Sequence, residues 1–144
     1  LCAALQIINH LQDCAKDYQA LDRVYIPLDA MSASGVSVEM LKENRASPAL
    51  RDCLRGLVAR TSVLLDESRG LEAKVGDTRL ALEISVIQSL ASQLLAILMV
   101  RDPLADRVHL NKAEALAAAA NGGGRAILRR LLRTMASAQR FQTP

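Results

Sequence analysis

Residues 6–27 read Gln6-Ile-Ile-Asn9-His10-Leu11-Gln12-Asp13-Cys14-Ala15-Lys16-Asp17-Tyr18 and, five residues on, Arg23-Val-Tyr25-Ile-Pro27. On a helix a step of four residues advances the azimuth by only ~40° and the axis by ~6 Å. Asn9, Asp13 and Asp17 therefore form one oxygen-bearing stripe, which Gln6 extends by a turn. Leu5, Ile8, Leu11 and Ala15 flank it, so the amide and carboxylates project from an otherwise apolar helix suited to the inside of a bundle. Carboxylates in such a place need a chemical reason, and Mg²⁺ supplies one. It takes oxygen ligands, dehydrates reluctantly, and is held by one or two carboxylates while a substrate's phosphates complete its shell. A bare carboxylate pair repels a diphosphate, and bound metal reverses that sign.

The pattern Leu5-Gln6-x-x-Asn9-x-x-Gln12-Asp13-x-x-x-Asp17, with Arg23-x-Tyr25-x-Pro27 behind it, resembles the second aspartate-rich motif and trailing segment of the squalene/phytoene synthases. With the later Arg101-Asp-Pro-Leu-x-x-Arg107-Val-His-Leu, it is most similar to the bacterial hydroxysqualene synthase branch of hopanoid biosynthesis. The resemblance runs to about Lys112. It implies an all-α fold of the isoprenoid-synthase type and Mg²⁺-assisted loss of diphosphate from an isoprenoid diphosphate. Asp13, Asp17 and Asn9 would be the metal ligands, and Gln6, Asn9, Gln12 and Arg23 would bind substrate. Arg23 and Tyr25 would orient the leaving group. In the hydroxysqualene branch the substrate is presqualene diphosphate and water quenches the cation. The alternative within the family is head-to-head condensation of two farnesyl or geranylgeranyl diphosphates.

Two positions depart from the common pattern: Gln12 stands where many relatives have Arg, and Lys16 where many have an acid. No second Asp-x-x-x-Asp helix faces the first, and the chain opens on Leu-Cys-Ala-Ala-Leu, already in helical register. The expectation is the C-terminal part of one synthase domain over residues 1–144. A reading from another class is a non-catalytic helical interaction module with a solvated aspartate stripe. Without the resemblance, Arg23 would pair with Asp22 or Asp17 and Tyr25 would cap the core.

The 144 residues are enough for one domain with a real core, and 51% are hydrophobic. Leu and Ala dominate while Gly and Pro are few, which favours helix throughout. The net charge of +3 makes no case for nucleic acid, and one Phe, two Tyr and no Trp leave no stacking surface for single strands. Cys2, Cys14 and Cys53 each fall in an apolar helical pattern and read as buried free thiols of a reducing, cytoplasmic compartment. His10 and His109 offer no zinc spacing.

Further along, residues 22–35 read as a break, and Ser37 as the cap of a short helix. Ser47-Pro48 starts a helix whose face holds Leu50, Cys53, Leu54, Leu57, Val58, Thr61, Val63, Leu64 and Leu65, and which serves as scaffold. Residues 70–76 break it, and Asp77 caps a helix to about Val100 that carries no charge after Glu83. That stretch raises the question of a membrane span, but Gln88, Gln93 and its serines favour a bundle-core helix lining an apolar cavity. Pro103 ends it, and Arg107 and Lys112 face either the mouth of the site or solvent. Lys112 to Ala120 reads as a last helix stopped by Asn121-Gly-Gly-Gly, a hinge or C-cap. In the tail 121–144, Arg125, Arg129, Arg130, Arg133 and Arg140 accompany Ile127, Leu128, Leu131, Leu132 and Met135. It reads equally as a packed helix or as a basic amphipathic one lying on the cytoplasmic face of an anionic membrane.

Overall fold

The computed structural model describes residues 1–140, with side chains to residue 132. Among them there is no strand. The helices are α1 (Cys2–Gln12), α2 (Cys14–Leu21), α3 (Leu28–Ala33), α4 (Pro48–Glu67), α5 (Leu71–Lys74), α6 (Thr78–Val100) and α7 (Lys112–Arg140), with a 3₁₀ turn at Val38–Lys42. They fall into two compact units, Leu1–Glu67 with Ala91–Leu110, and Ser68–Leu90 with the chain from Asn111 onward.

The first unit is built on a helical period. Ala4, Ile8, Leu11, Cys14 and Ala15 put one face of α1 and α2 into the core, where α1 packs on α4 and α2 on the 3₁₀ turn. Met31, Leu41, Leu50, Leu54, Val58, Leu65, Leu95, Leu98 and Val108 are among the residues that join them in this core. Burying each large side chain is worth about 1.5–3 kcal/mol. The expected start of α4 is present: the Leu50 N–H donates to Ser47 Oγ at 3.2 Å. Val63, however, stands exposed on α4, one step off the buried stripe of Leu54, Val58, Thr61 and Leu65. At the other end of the unit, Arg51 and Arg55 donate to the carbonyls of Val100 and Met99 at 2.9 and 3.1 Å, satisfying the last turn of α6. Asp102 is buried and accepts the N–H groups of Ala46 and Leu104, both at 2.9 Å, which pins the turn after α6 to the chain entering α4.

In the second unit Asp77 caps α6, its Oδ1 accepting the Leu80 N–H at 2.7 Å. Asn111 and Glu114 cap α7 reciprocally, side chain to N–H, at 2.8 Å each way. The Asn121-Gly-Gly-Gly run does not stop α7, contrary to the sequence expectation. Glycine here serves close packing: a Cβ on Gly122 would lie 2.5 Å from the Ser85 carbonyl oxygen and 2.9 Å from Val86 Cα. The helix crosses three poor helix formers because its capped N-terminus, its alanines and this backbone contact offset their cost of about 1 kcal/mol each.

α6 is long and apolar enough to cross a membrane, although 28% of its most apolar window is buried within the protein. Its second half supplies Ala91, Leu95 and Leu98 to the first unit's core. Ala81, Ile84, Ser85 and Ser89 of its first half are buried too. Two tail arginines are turned to the second unit's own groups. Arg129 pairs with the buried Glu72 at 2.5 Å, and Arg130 donates to the carbonyls of Gly76 and Asp77 at 2.6 and 3.4 Å. The side chains of Arg133, Met135 and Arg140 lie outside the described residues.

Candidate functional site

The aspartate segment is two helices with a kink between them, where the spacing alone predicts one. Asp13 leaves helical geometry, at φ −103° and ψ 10°. Yet the Asp13 N–H donates to the Asn9 carbonyl at 3.0 Å and the Asp17 N–H to the Asp13 carbonyl at 2.8 Å, so the four-residue ladder passes through the kink. Asn9, Asp13 and Asp17 stay one turn apart on one side, with Asn9 exposed and both aspartates half-buried. Gln6 is exposed a turn earlier.

α2 ends at Asp22, the one non-glycine residue with positive φ (52°) among those described, a conformation that Asp tolerates better than most. Its N–H returns to the Tyr18 carbonyl at 3.1 Å and that of Arg23 to the Asp17 carbonyl at 3.3 Å. This reversal brings Arg23 back beside Asp17. The exposed guanidinium donates to Tyr25 Oη at 3.5 Å. That hydrogen bond first, and the Asp17 charge more weakly, raise the Arg23 pKa above its ordinary value. The Tyr25 ring in turn stacks on His10, centroids 3.9 Å apart and planes 15° from parallel.

At roughly 100° per residue, Gln12 and Lys16 lie to one side of the Asn9–Asp13–Asp17 ridge, and His10, Ile7 and Leu11 to the other. The two sides open on different clefts. A polar one of about 290 Å³ is lined by Gln12, Asp13, Lys16, Gln19 and the stretch from Pro103 to His109, Arg107 included. An apolar one of about 260 Å³ is lined by Ile7, His10, Leu11, Tyr25, Ile26 and Pro27, with Leu57, Arg60, Thr61 and Leu64 of α4 as the far wall.

The donor set suits a hard cation. It offers oxygen alone, and its carboxylates are reachable from solvent. Among the described residues no three His, Cys, Asp or Glu side chains cluster to hold a metal. Asp13 and Asp17 would therefore supply part of a shell, as Mg²⁺ accepts when phosphates supply the rest. Among the described residues the Asp13 carboxylate forms an ion pair with Lys16, at 3.8 Å, whose side chain is 73% exposed. Such a surface pair is worth about 0–1 kcal/mol and yields easily to a metal.

Asp17, Arg23 and Tyr25 are brought together, while Asp13 and Gln12 face the polar cleft with Arg107. The Gln12 amide donates to the Val108 carbonyl and so helps to shape that cleft. Sequence reasoning missed the pairing of His10 with Tyr25, which no local spacing announces. It also placed Cys2 in the core, where the structure exposes it, because the first turn of a helix has few neighbours to bury it.

No solved structure matches the chain significantly. A hydroxysqualene synthase of Rhodopseudomonas palustris is 50% identical over 130 residues, 90% of this chain and 44% of the relative. A second hydroxysqualene synthase, from Sinorhizobium fredii, is 51% identical over 116 residues, 81% of this chain and 40% of the relative. A phytoene synthase of Thermus thermophilus is 40% identical over 81 residues, 55% of this chain and 28% of the relative. The chain spans less than half the length of these curated relatives. The family model for squalene/phytoene synthase matches residues 1–143, and the chain belongs to that family.

Proposed function

We propose that the protein is a Mg²⁺-dependent isoprenoid diphosphate enzyme that converts presqualene diphosphate to hydroxysqualene with release of diphosphate. The observation that carries this reading is the aspartate ridge standing between a polar and an apolar cleft, the layout an amphiphilic diphosphate requires. The similarity to the hydroxysqualene synthases of Rhodopseudomonas palustris and Sinorhizobium fredii, at 50% and 51% identity, favours the hydroxysqualene branch.

Asp13 and Asp17, with Asn9, hold Mg²⁺. When bound, the metal neutralises the diphosphate and makes it a better leaving group. Arg23, Lys16 and Arg107 add fixed positive charge, and Gln6 and Gln12 contribute amide hydrogen bonds. The Tyr25 hydroxyl holds a diphosphate oxygen or a water at the junction of head and tail. The apolar cleft takes the isoprenoid chain, where each buried methylene contributes about 0.8 kcal/mol, and it keeps water from the substrate cation except where Tyr25 admits it.

The second reading is head-to-head condensation of two prenyl diphosphates, favoured by the 40% identity to a phytoene synthase. Product analysis separates them, using a protein of the relatives' full length that carries this chain, given Mg²⁺ and either substrate. Hydroxysqualene from presqualene diphosphate supports the first reading. Presqualene diphosphate or a hydrocarbon from farnesyl diphosphate moves the assignment to the second, and turnover of neither leaves the helical interaction module. A peripheral contact with anionic lipid stays part of the proposal for a protein with so insoluble a product. It would use the exposed Ile127, Leu128, Leu131 and Leu132 of α7, and cosedimentation with phosphatidylglycerol vesicles tests it.

A further inference from the structure

His10 stands beside the proposed ligand Asn9 but lies on the flank of the ridge that faces the apolar cleft. Its Nδ1 is buried without a hydrogen-bond partner, so packing holds the ring rather than a bond at that nitrogen. What the ring offers is a flat face 3.9 Å from the Tyr25 ring. Tyr25 needs such a support. It lies in the irregular segment between the left-handed end of α2 and Pro27, and its side chain is 40% exposed. An exposed side chain on irregular backbone samples several rotamers. A ring carried by a rigid helix and stacked on it selects one, and the one selected puts Oη 3.5 Å from an Arg23 nitrogen.

We infer that His10 is a positioning residue: its stacked ring fixes the Tyr25 phenol as the wall between apolar cleft and diphosphate site and aims the hydroxyl at Arg23. The inference rests on the role proposed above for Tyr25. Because the contact is face to face, the property that matters is a flat ring at position 10, and the ring nitrogens are dispensable. Phe can therefore replace His10 and Ala cannot.

The test is a double-mutant cycle in the full-length protein turning over presqualene diphosphate. His10→Ala should lower kcat about tenfold, with KM changed less than about threefold, because a displaced hydroxyl harms the reacting geometry more than it harms binding. His10→Phe should keep about half the activity or more. In a Tyr25→Ala background, which removes the ring that His10 supports, His10→Ala should cost less than about twofold further, since a residue that acts through another adds nothing once that other is gone. A His10→Phe variant as poor as His10→Ala would overturn the inference, as would additive losses or a change confined to KM. A second measurement does not depend on turnover. The Tyr25 ring-proton resonances, assigned by their absence in Tyr25→Phe, should be displaced by the stack in wild type and His10→Phe and return toward ordinary values in His10→Ala. If neither diphosphate is turned over, the proposed function fails while this spectrum still reports the stack. If turnover is normal and the resonances do not respond, the positioning role alone is refuted.

Discussion

The kinked helices α1 and α2 break at Asp13 and keep their polar stripe, whereas the glycine-bearing helix α7 continues through a run of helix breakers, and both depart from the sequence expectation. In α1–α2 the geometry that matters is local. A four-residue ladder holds Asn9, Asp13 and Asp17 one above another, and it holds even where Asp13 departs from helical angles. In α7 the decisive contact is distant in sequence. Asn121 and three glycines should end a helix, yet the helix continues past them, because at Gly122 only a missing Cβ lets α7 approach the backbone at Ser85. Spacing along a helix reports where side chains point, whereas a helix breaker reports its context only when the partner surface is known.

The two regions should therefore fail in different ways when altered. Asp13→Asn removes the charge of one proposed ligand and leaves a residue of nearly the same shape, and among the described residues the ion pair it gives up is the weak one with Lys16. In the full-length enzyme we expect kcat/KM to fall about a hundredfold, about 3 kcal/mol of transition-state stabilisation, while the urea midpoint stays put. A midpoint that drops with activity would make Asp13 a structural residue and erase the contrast. Gly122→Ala should do the reverse. It forces a methyl against backbone atoms that cannot turn away, which costs about 1–3 kcal/mol of stability by urea denaturation.

Gly124 gives the smaller, opposite effect that sharpens the point. Nothing lies within 4 Å of a Cβ built there, so Gly124→Ala should stabilise α7 by up to about 1 kcal/mol through helix propensity alone. If both alanines destabilise equally, the run is a hinge after all, as the sequence suggests.

Much of the fold was legible beforehand because its signals are local: the Ser47-Pro48 start of α4, the Asp77 cap of α6, and the apolar period that buries Ile8, Leu11, Leu50 and Val58. The short helices α3 and α5, inside stretches read as breaks, have too few residues to show a period. Of the candidate site, the polar stripe and the two residues Arg23 and Tyr25 were visible, but not the hydrogen bond between those two. The division into polar and apolar clefts was not, since it depends on Arg107 and on α4 residues Leu57 and Thr61, all remote in sequence from the ridge. The start of α7 at Lys112 is as the sequence suggests, and the reciprocal Asn111–Glu114 cap accounts for it.

The mildest test lies within α1–α2 itself, on its buried side. Cys14 is buried beside Leu11, and burial pushes its thiol pKa from an ordinary 9.0 up to about 12. Cys2 stands exposed at the start of α1. Iodoacetamide at pH 8 should thus label Cys2 and spare Cys14 in the native protein, as peptide mass mapping would show. The sign of the pH effect follows from where the proton is held. Below pH 9 both folded and unfolded chains keep the Cys14 proton. Between pH 9 and 12 the unfolded chain loses it and the folded chain does not, so the folded state binds more protons and stability falls as pH rises, by at most about 1.4 kcal/mol per pH unit. Comparing urea midpoints at pH 8 and pH 10 for wild type and Cys14→Ala isolates that contribution, because alanine has no proton to lose. A wild-type midpoint that falls no more than that of Cys14→Ala would mean that the thiolate is tolerated where it sits. The apolar face of α2 would then open to water as readily as its polar face, and the division of labour between the two sides of the aspartate helix would not hold.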